Sequence, residues 1–211
     1  MTLREEERLF FQHHKIDESL LFDAEGSEHT QAIEELMKSQ GKAFAFNTAP
    51  CTNGGHTLKS RAGHCIQCNT ARIKFMLDYI AWGTVYIAGS ITGQMIKIGF
   101  TINIESRKKK LNTTKYGSQS DWEVLFYANC INGGYTEGLI QTALERYAVT
   151  EVYNHDGHSQ KANELFKCSY QKAKEALMLV QATEKIEFHN PTERNLIIHK
   201  YAFKNLAKIK K

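Results

Sequence analysis

No run of about 18 apolar residues occurs in the 211-residue chain, so no membrane-spanning helix is predicted. The opening MTLREEERLFF lacks the pattern of a secretory signal, and the expectation is a soluble, cytoplasmic protein with no membrane partner. Internal repeats and low-complexity stretches are missing too, which excludes a repeat array. Charge of one sign is scarcely in excess: a net +4 and a pI near 8.7 permit nucleic-acid binding without demanding it. Cysteine is sparse and odd in number, at 51, 65, 68, 130 and 168, with one tight CxxC, and in an intracellular chain that favours metal over disulfides.

What is there suffices for a core. With 42% hydrophobic residues, a chain of this length predicts one domain with substantial extensions or two small domains. Residues 1–48 read as a helical arm. Leu9, Phe10, Leu20, Leu21 and Phe22 are apolar patches, and Ile33, Leu36 and Met37 repeat at helical spacing between a Thr30 cap and a Gly41 stop.

Residues 49–82 carry a metal-ligand pattern followed by a helix over 69–81. Cys51, His56, Cys65 and Cys68 supply four soft or borderline donors, the tetrahedral set of structural zinc. His64 is the alternative to His56, ranked second because it directly precedes Cys65. A CxxC leading into a helix resembles a zinc-knuckle or treble-clef element, a unit too small to bury enough core without its Zn2+. Lys59 and Arg61 lie between the ligand pairs and are placed to project toward phosphates.

The stretch 83–111 organises the remainder. Val85, Tyr86 and Ile87 open a strand, the chain turns between Gly89 and Gly93, and Ile96, Ile98 and Phe100 alternate with Lys97 and Gly99, which predicts a hairpin. Asn103 can cap a helix that puts Ile104, Arg107 and Leu111 on one face. A guanidinium on an inward stripe calls for an anion, because burying it alone is costly. Trp122 to Asn129 reads as a third strand. After Gly133 and Gly134, a helix beginning at Thr136 puts Glu137, Ile140, Leu144 and Tyr147 on one face. Residues 169–182 form another helix, and the tail from Thr192, with Lys200, Lys204, Lys208, Lys210 and Lys211, reads as a basic helix or arm.

Thr84-Val85-Tyr86, Lys97-Ile98-Gly99 and Arg107 resemble, in order and spacing, the GIY, YIG and arginine elements of the GIY-YIG nuclease superfamily, with lysine at the second tyrosine. The resemblance implies an α+β fold: a small antiparallel three-stranded sheet flanked by helices, over 83–168, with the zinc-binding insertion and helical extensions at 1–48 and 169–211. It also implies that Glu137 holds a catalytic Mg2+ or Mn2+ and that Asn154 completes the site. Arg107 would pair with the scissile phosphate. Tyr86 would orient or deprotonate water once cations depressed its pKa, and Lys97 would bind phosphate or tune Tyr86. Lys108, Lys109 and Lys110 extend the cationic surface. The expected activity is metal-dependent endonuclease cleavage of duplex DNA, suited to restriction-modification or phage defence, with a homodimer for symmetric cutting. Two other classes compete: an inactive zinc-containing DNA- or RNA-binding module, and a protein-interaction adaptor that would show no salt-dependent DNA binding.

Overall fold

The computed structural model describes residues 3–208, in two compact units, Met1–Ile80 and Ala81–Lys211. The first unit comprises Glu5–His13 (α1), Leu21–Asp23 (β1), Gln31–Ser39 (α2), Phe44–Phe46 (β2), Lys59–Ser60 (β3) and Ala71–Ile80 (α3). In its sheet β2 is central, parallel to β1 and antiparallel to β3. The region expected as a helical arm is therefore part helix and part sheet. Leu21 and Phe22 lie in a strand too short for a period of two to show. Thr30 does cap α2, its hydroxyl accepting from the Ile33 N–H at 3.4 Å.

The core of this unit joins Phe11 of α1, Leu21 of β1, Phe44 and Phe46 of β2, Leu58 and Ile66 of the ligand-bearing loops, and Ile73 and Met76 of α3. Glu7 is buried in α1 and tied to those loops: the Thr57 hydroxyl donates to its carboxylate at 2.8 Å and Arg4 pairs with it at 2.7 Å. Burial raises the Glu7 pKa, and these donors more than offset the rise, holding it below the usual carboxylate range.

The second unit runs Gly83–Ser90 (β4), Met95–Thr101 (β5), Ile104–Thr113 (α4), Glu123–Cys130 (β6), Gly133–Ala143 (α5), Ala148–His155 (β7), His158–Phe166 (β8), Tyr170–Glu184 (α6) and His189–Glu193 (β9). Its strands form one antiparallel sheet in the order β7-β8-β5-β4-β6-β9. The fold is mixed α+β, but the sheet has six strands where three were expected. The β7–β8 hairpin widens one side, and β9 adds to the other with Pro191 on an edge, where a missing N–H costs no ladder bond. Among the described residues the tail forms no basic α-helix, the first of the two forms expected: it is β9 followed by one 3-10 turn, Ile198–Tyr201, and an extended segment. Lys210 and Lys211 lie outside the described residues.

Both faces of the sheet are covered. Val85, Ile87, Ile96 and Ile98 pack with Ile140 and Leu144 of α5 and its flank, and with Ala173 and Leu177 of α6. Tyr86, Ala88 and Met95 pack with Leu111 of α4, Trp122, Tyr153 and Leu165. α5 begins at Gly133, three residues earlier than its pattern suggests. A Cβ there would sit 2.1 Å from the Phe100 ring, so glycine lets the helix start against that ring.

Candidate active site and metal centre

In the second unit the hairpin register sets Tyr86 directly across from Gly99, and Ala88 across from Lys97. A Cβ at residue 99 would lie 2.3 Å from the Tyr86 hydroxyl, so glycine is what allows the phenol to lie over β5. Asn103 caps α4, its side-chain oxygen accepting from the Ser106 N–H at 2.9 Å, and this first turn sets the direction of Arg107.

The edge of β5 explains why the charged groups gather. β8 pairs with β5 only at Ile96 and Lys97. Beyond Lys97 the backbone of β5 has no strand neighbour on that side, and such groups need other partners. Arg107, from α4, donates to the Phe100 carbonyl at 3.4 Å. Glu137, from α5, meets the Phe100 N–H and accepts from the Gln141 amide at 2.9 Å. Helices on opposite faces of the sheet thus deliver an arginine and a glutamate to the two sides of one peptide residue.

Lys97 is 2% exposed, contrary to the surface position that strand alternation suggests for it. Its ammonium pairs with Glu164 of β8, donates to the Ile98 carbonyl at 3.3 Å and lies 4.7 Å from the centre of the Tyr116 ring. Burial works against the charge, and the neighbouring Tyr86, Glu164 and Tyr116 overcome it, so the lysine pKa is raised and the group stays protonated. Glu164 was not among the residues singled out as functional from sequence. Burial pushes its carboxyl up, but Lys97, Tyr116 and Arg107 bring it below the ordinary range. The signal that could have found it is the single carboxylate of β8, set next to the apolar Leu165-Phe166 end of the strand.

Glu137 behaves oppositely. Burial, then the Glu164 charge, push its carboxyl up to about 7 against the pull of Lys97 and Arg107. The two carboxylates therefore differ in charge state near neutrality, the pattern by which environments separate acid and base roles. Tyr86 departs from expectation. Its hydroxyl is buried without a hydrogen-bond partner among the described residues, and burial raises its pKa despite Lys97 and Arg107. The phenol is a weaker acid than in water, not the depressed one anticipated.

Asn154 is not brought to this group. It is exposed on β7 opposite Ser159, whereas Val149 is the residue opposite Leu165, the β8 neighbour of Lys97. Five strand residues separate Asn154 from Val149, about 16 Å. Of the basic run, Lys108 pairs with Glu123 at 2.8 Å, while Lys109 and Lys110 are exposed.

The ion pair between buried Lys97 and half-exposed Glu164 yields a stability prediction. Glu164→Ala should cost about 1–3 kcal/mol in urea unfolding by stranding the Lys97 ammonium, less than for a fully buried pair because Glu164 is half-exposed, and adding Lys97→Met should recover much of that loss. A small loss with no recovery in the double variant would mean that the pair is not what holds Lys97 inside.

In the first unit the donor atoms of Cys51, His56, Cys65 and Cys68 all lie within 4.8 Å of one another. Cys51 Sγ is 3.7 Å from Cys68 Sγ, and His56 Nδ1 is 3.7 Å from Cys51, 3.7 Å from Cys65 and 3.3 Å from Cys68. Zinc–sulfur bonds of 2.3 Å set tetrahedral sulfurs about 3.8 Å apart, so this cluster could hold Zn2+. The Cys68 N–H points to Cys65 Sγ at 3.4 Å, an outer-shell bond of the kind that orients a ligand. His56 is in the set, and His64 is exposed outside it. Arg61 does not project as expected. It is 8% exposed, donating to the Lys42 carbonyl at 3.4 Å and lying 5.8 Å from the centre of the Tyr79 ring.

Residues 83–181 match the family model of the T5orf172 domain. That domain is phage-associated and occurs in some nuclease-like proteins, which links this part of the chain to nuclease and DNA-binding roles. The matched segment takes in the β4–β5 hairpin, Arg107, Glu137 and Glu164, and it stops before β9. Neither a curated protein nor a solved structure matches the chain. The Cys/His cluster lies wholly outside the T5orf172 match.

Proposed function

We propose that residues 83–168 form a GIY-YIG-like endonuclease core that hydrolyses DNA phosphodiester bonds with Mg2+ or Mn2+, in a restriction or phage-defence setting. The observation that carries this reading is the gathering of Arg107, Lys97, Glu137 and Glu164 where β5 runs out of its β8 partner, so that each carboxylate feels both cations. The T5orf172 match over the same residues supports it.

Water attacking a phosphodiester needs orientation, and the phosphoryl oxygens need positive charge as the bond to the leaving oxygen breaks. Arg107 supplies a planar fork for the phosphate. Lys97, fixed by Glu164, contributes a permanent charge that cannot swing away. Glu137, once ionised, is the carboxylate to hold a divalent cation, which supplies Lewis-acid charge on a phosphate oxygen. Tyr86, raised above its ordinary range, suits holding the water by a hydrogen bond and not taking its proton as a phenolate. Duplex DNA is the expected substrate and a homodimer the expected cutting form.

A binding module that has lost cleavage is the second reading, favoured by the covered Tyr86 hydroxyl. One experiment separates them. Supercoiled plasmid should be nicked or cut in the presence of Mg2+, and Arg107→Ala should reduce the rate on the order of 10²-fold or more. DNA retention without cleavage under Mg2+ or Mn2+ would leave only the binder.

A further inference from the structure

An open groove in the first unit runs over the Cys/His cluster: Cys51, Cys65 and Cys68 are part of its lining together with Lys59, His64, Asn69 and Arg72, and no carboxylate lines it. Other basic side chains of α3 and the preceding loop are engaged: Lys74 pairs with Asp78 at 2.8 Å, and Arg61 is turned inward. The side chains of Lys59 and Arg72 have no hydrogen bond or ion pair among the described residues, although both backbones are bonded. Two unneutralised cations with amide and imidazole donors around them suit a chain of phosphates.

A second observation says which phosphates. Arg72, Phe75 and Tyr79 fall at i, i+3 and i+7 of α3 and so share one face. Phe75 is 58% exposed and stacked on Tyr79, with ring centroids 6.0 Å apart and planes at 25°. An exposed aromatic platform one helical turn from a cationic groove is the arrangement that tracks a backbone and stacks an unpaired base. A free phosphate would leave that platform unused.

We propose that this groove binds single-stranded nucleic acid, with Lys59 and Arg72 on successive phosphates and a base on Phe75. Binding by the groove stands apart from the nuclease reading; its role in presenting an unpaired stretch of substrate for cutting rests on that reading.

The test is fluorescence anisotropy of the full-length, zinc-loaded chain with a short labelled single-stranded oligonucleotide, without Mg2+, across a range of salt. The Lys59→Ala/Arg72→Ala variant should bind roughly tenfold or more weakly, with the log–log salt slope reduced by about 1.4, or about 0.7 per lost contact. Phe75→Ala should weaken single-strand binding roughly fivefold and leave duplex binding unchanged. Zinc content equal to wild type confirms that the variants keep their fold. Unchanged affinity and slope would overturn the proposal, as would complete displacement of the oligonucleotide by millimolar inorganic phosphate. Equal weakening of duplex and single strand by Phe75→Ala would overturn the stacked base. The two sites fail separately: groove-dependent binding by a wild type that cuts nothing supports the groove and removes the nuclease, whereas cutting by a wild type whose affinity the Lys59→Ala/Arg72→Ala variant leaves unchanged keeps the nuclease and overturns the groove.

Discussion

Glu137→Gln is expected to reduce DNA cleavage on the order of 10³-fold while making the protein more stable above neutral pH. Glu137 is held up to about 7 by burial and by the Glu164 charge, against an ordinary value of 4.5. A carboxyl raised in the folded state binds its proton more tightly there than in the unfolded chain. Stability therefore falls as pH rises from about 4.5 to about 7, then levels with the full penalty in place. The penalty is about 3 kcal/mol on this shift. Glutamine removes it, and its amide oxygen can still accept from Gln141 and the Phe100 N–H. In the wild type, cleavage should rise with pH through about 7, because a cation binds the ionised carboxylate. Mg2+ should raise the melting temperature at pH 8 in the wild type and not in Glu137→Gln. A variant that keeps cutting, or that melts no higher than wild type at pH 8, would remove Glu137 from the site.

That opposition between stability and activity was partly legible in the sequence. The β4–β5 hairpin, the Asn103 cap and the inward stripe carrying Arg107 follow from local pattern, because each depends on residues within one turn or one hairpin of the next. The expectation that an anion meets Arg107 rests on the cost of burying a guanidinium, and Glu137 and Glu164 are within its electrostatic reach. The burial of Lys97 was not legible. Strand alternation places it opposite Ile96 and Ile98, and only the Leu111, Trp122 and Leu165 layer, contributed by later segments, makes that second face an interior. Glu164 becomes significant for the same reason: its partner is 67 residues away in sequence. Asn154 was assigned by resemblance alone, and the register of β7 with β8 carries it to the far end of the hairpin.

The first unit divides similarly. The ligand set could be read from donor chemistry and spacing, since four donors in 18 residues with a closing CxxC have few other uses. The short strands β1 and β2 could not, because three residues carry no period and their pairing joins segments more than 20 residues apart. Arg61 reads as a loop cation, yet its position directly after β3 aims it at Lys42 and Tyr79.

Removing the metal should have the largest stability effect of all. Cys65→Ser, or chelation, is expected to unfold the Met1–Ile80 unit cooperatively, because the ligand loops also carry core residues. Ile66 lies between Cys65 and Cys68, fully buried, and its N–H donates to the Leu58 carbonyl at 3.1 Å, while Leu58 sits two residues past His56 and is buried against the same cluster. Freeing the cysteines therefore frees two core side chains at once. By mass action, Zn2+ a thousandfold above its dissociation constant contributes about 4 kcal/mol. For a unit of this size that is roughly 15–30 °C in melting temperature. Hydrogen exchange of α1, β2 and α3 amides with and without chelator measures it directly. Loss of protection in all three, restored by Zn2+, is the expected result; protection unchanged by chelator, with the three ligand cysteines alkylated at the same rate before and after chelation, would mean that the cluster is a reduced, unliganded one and the core stands without it.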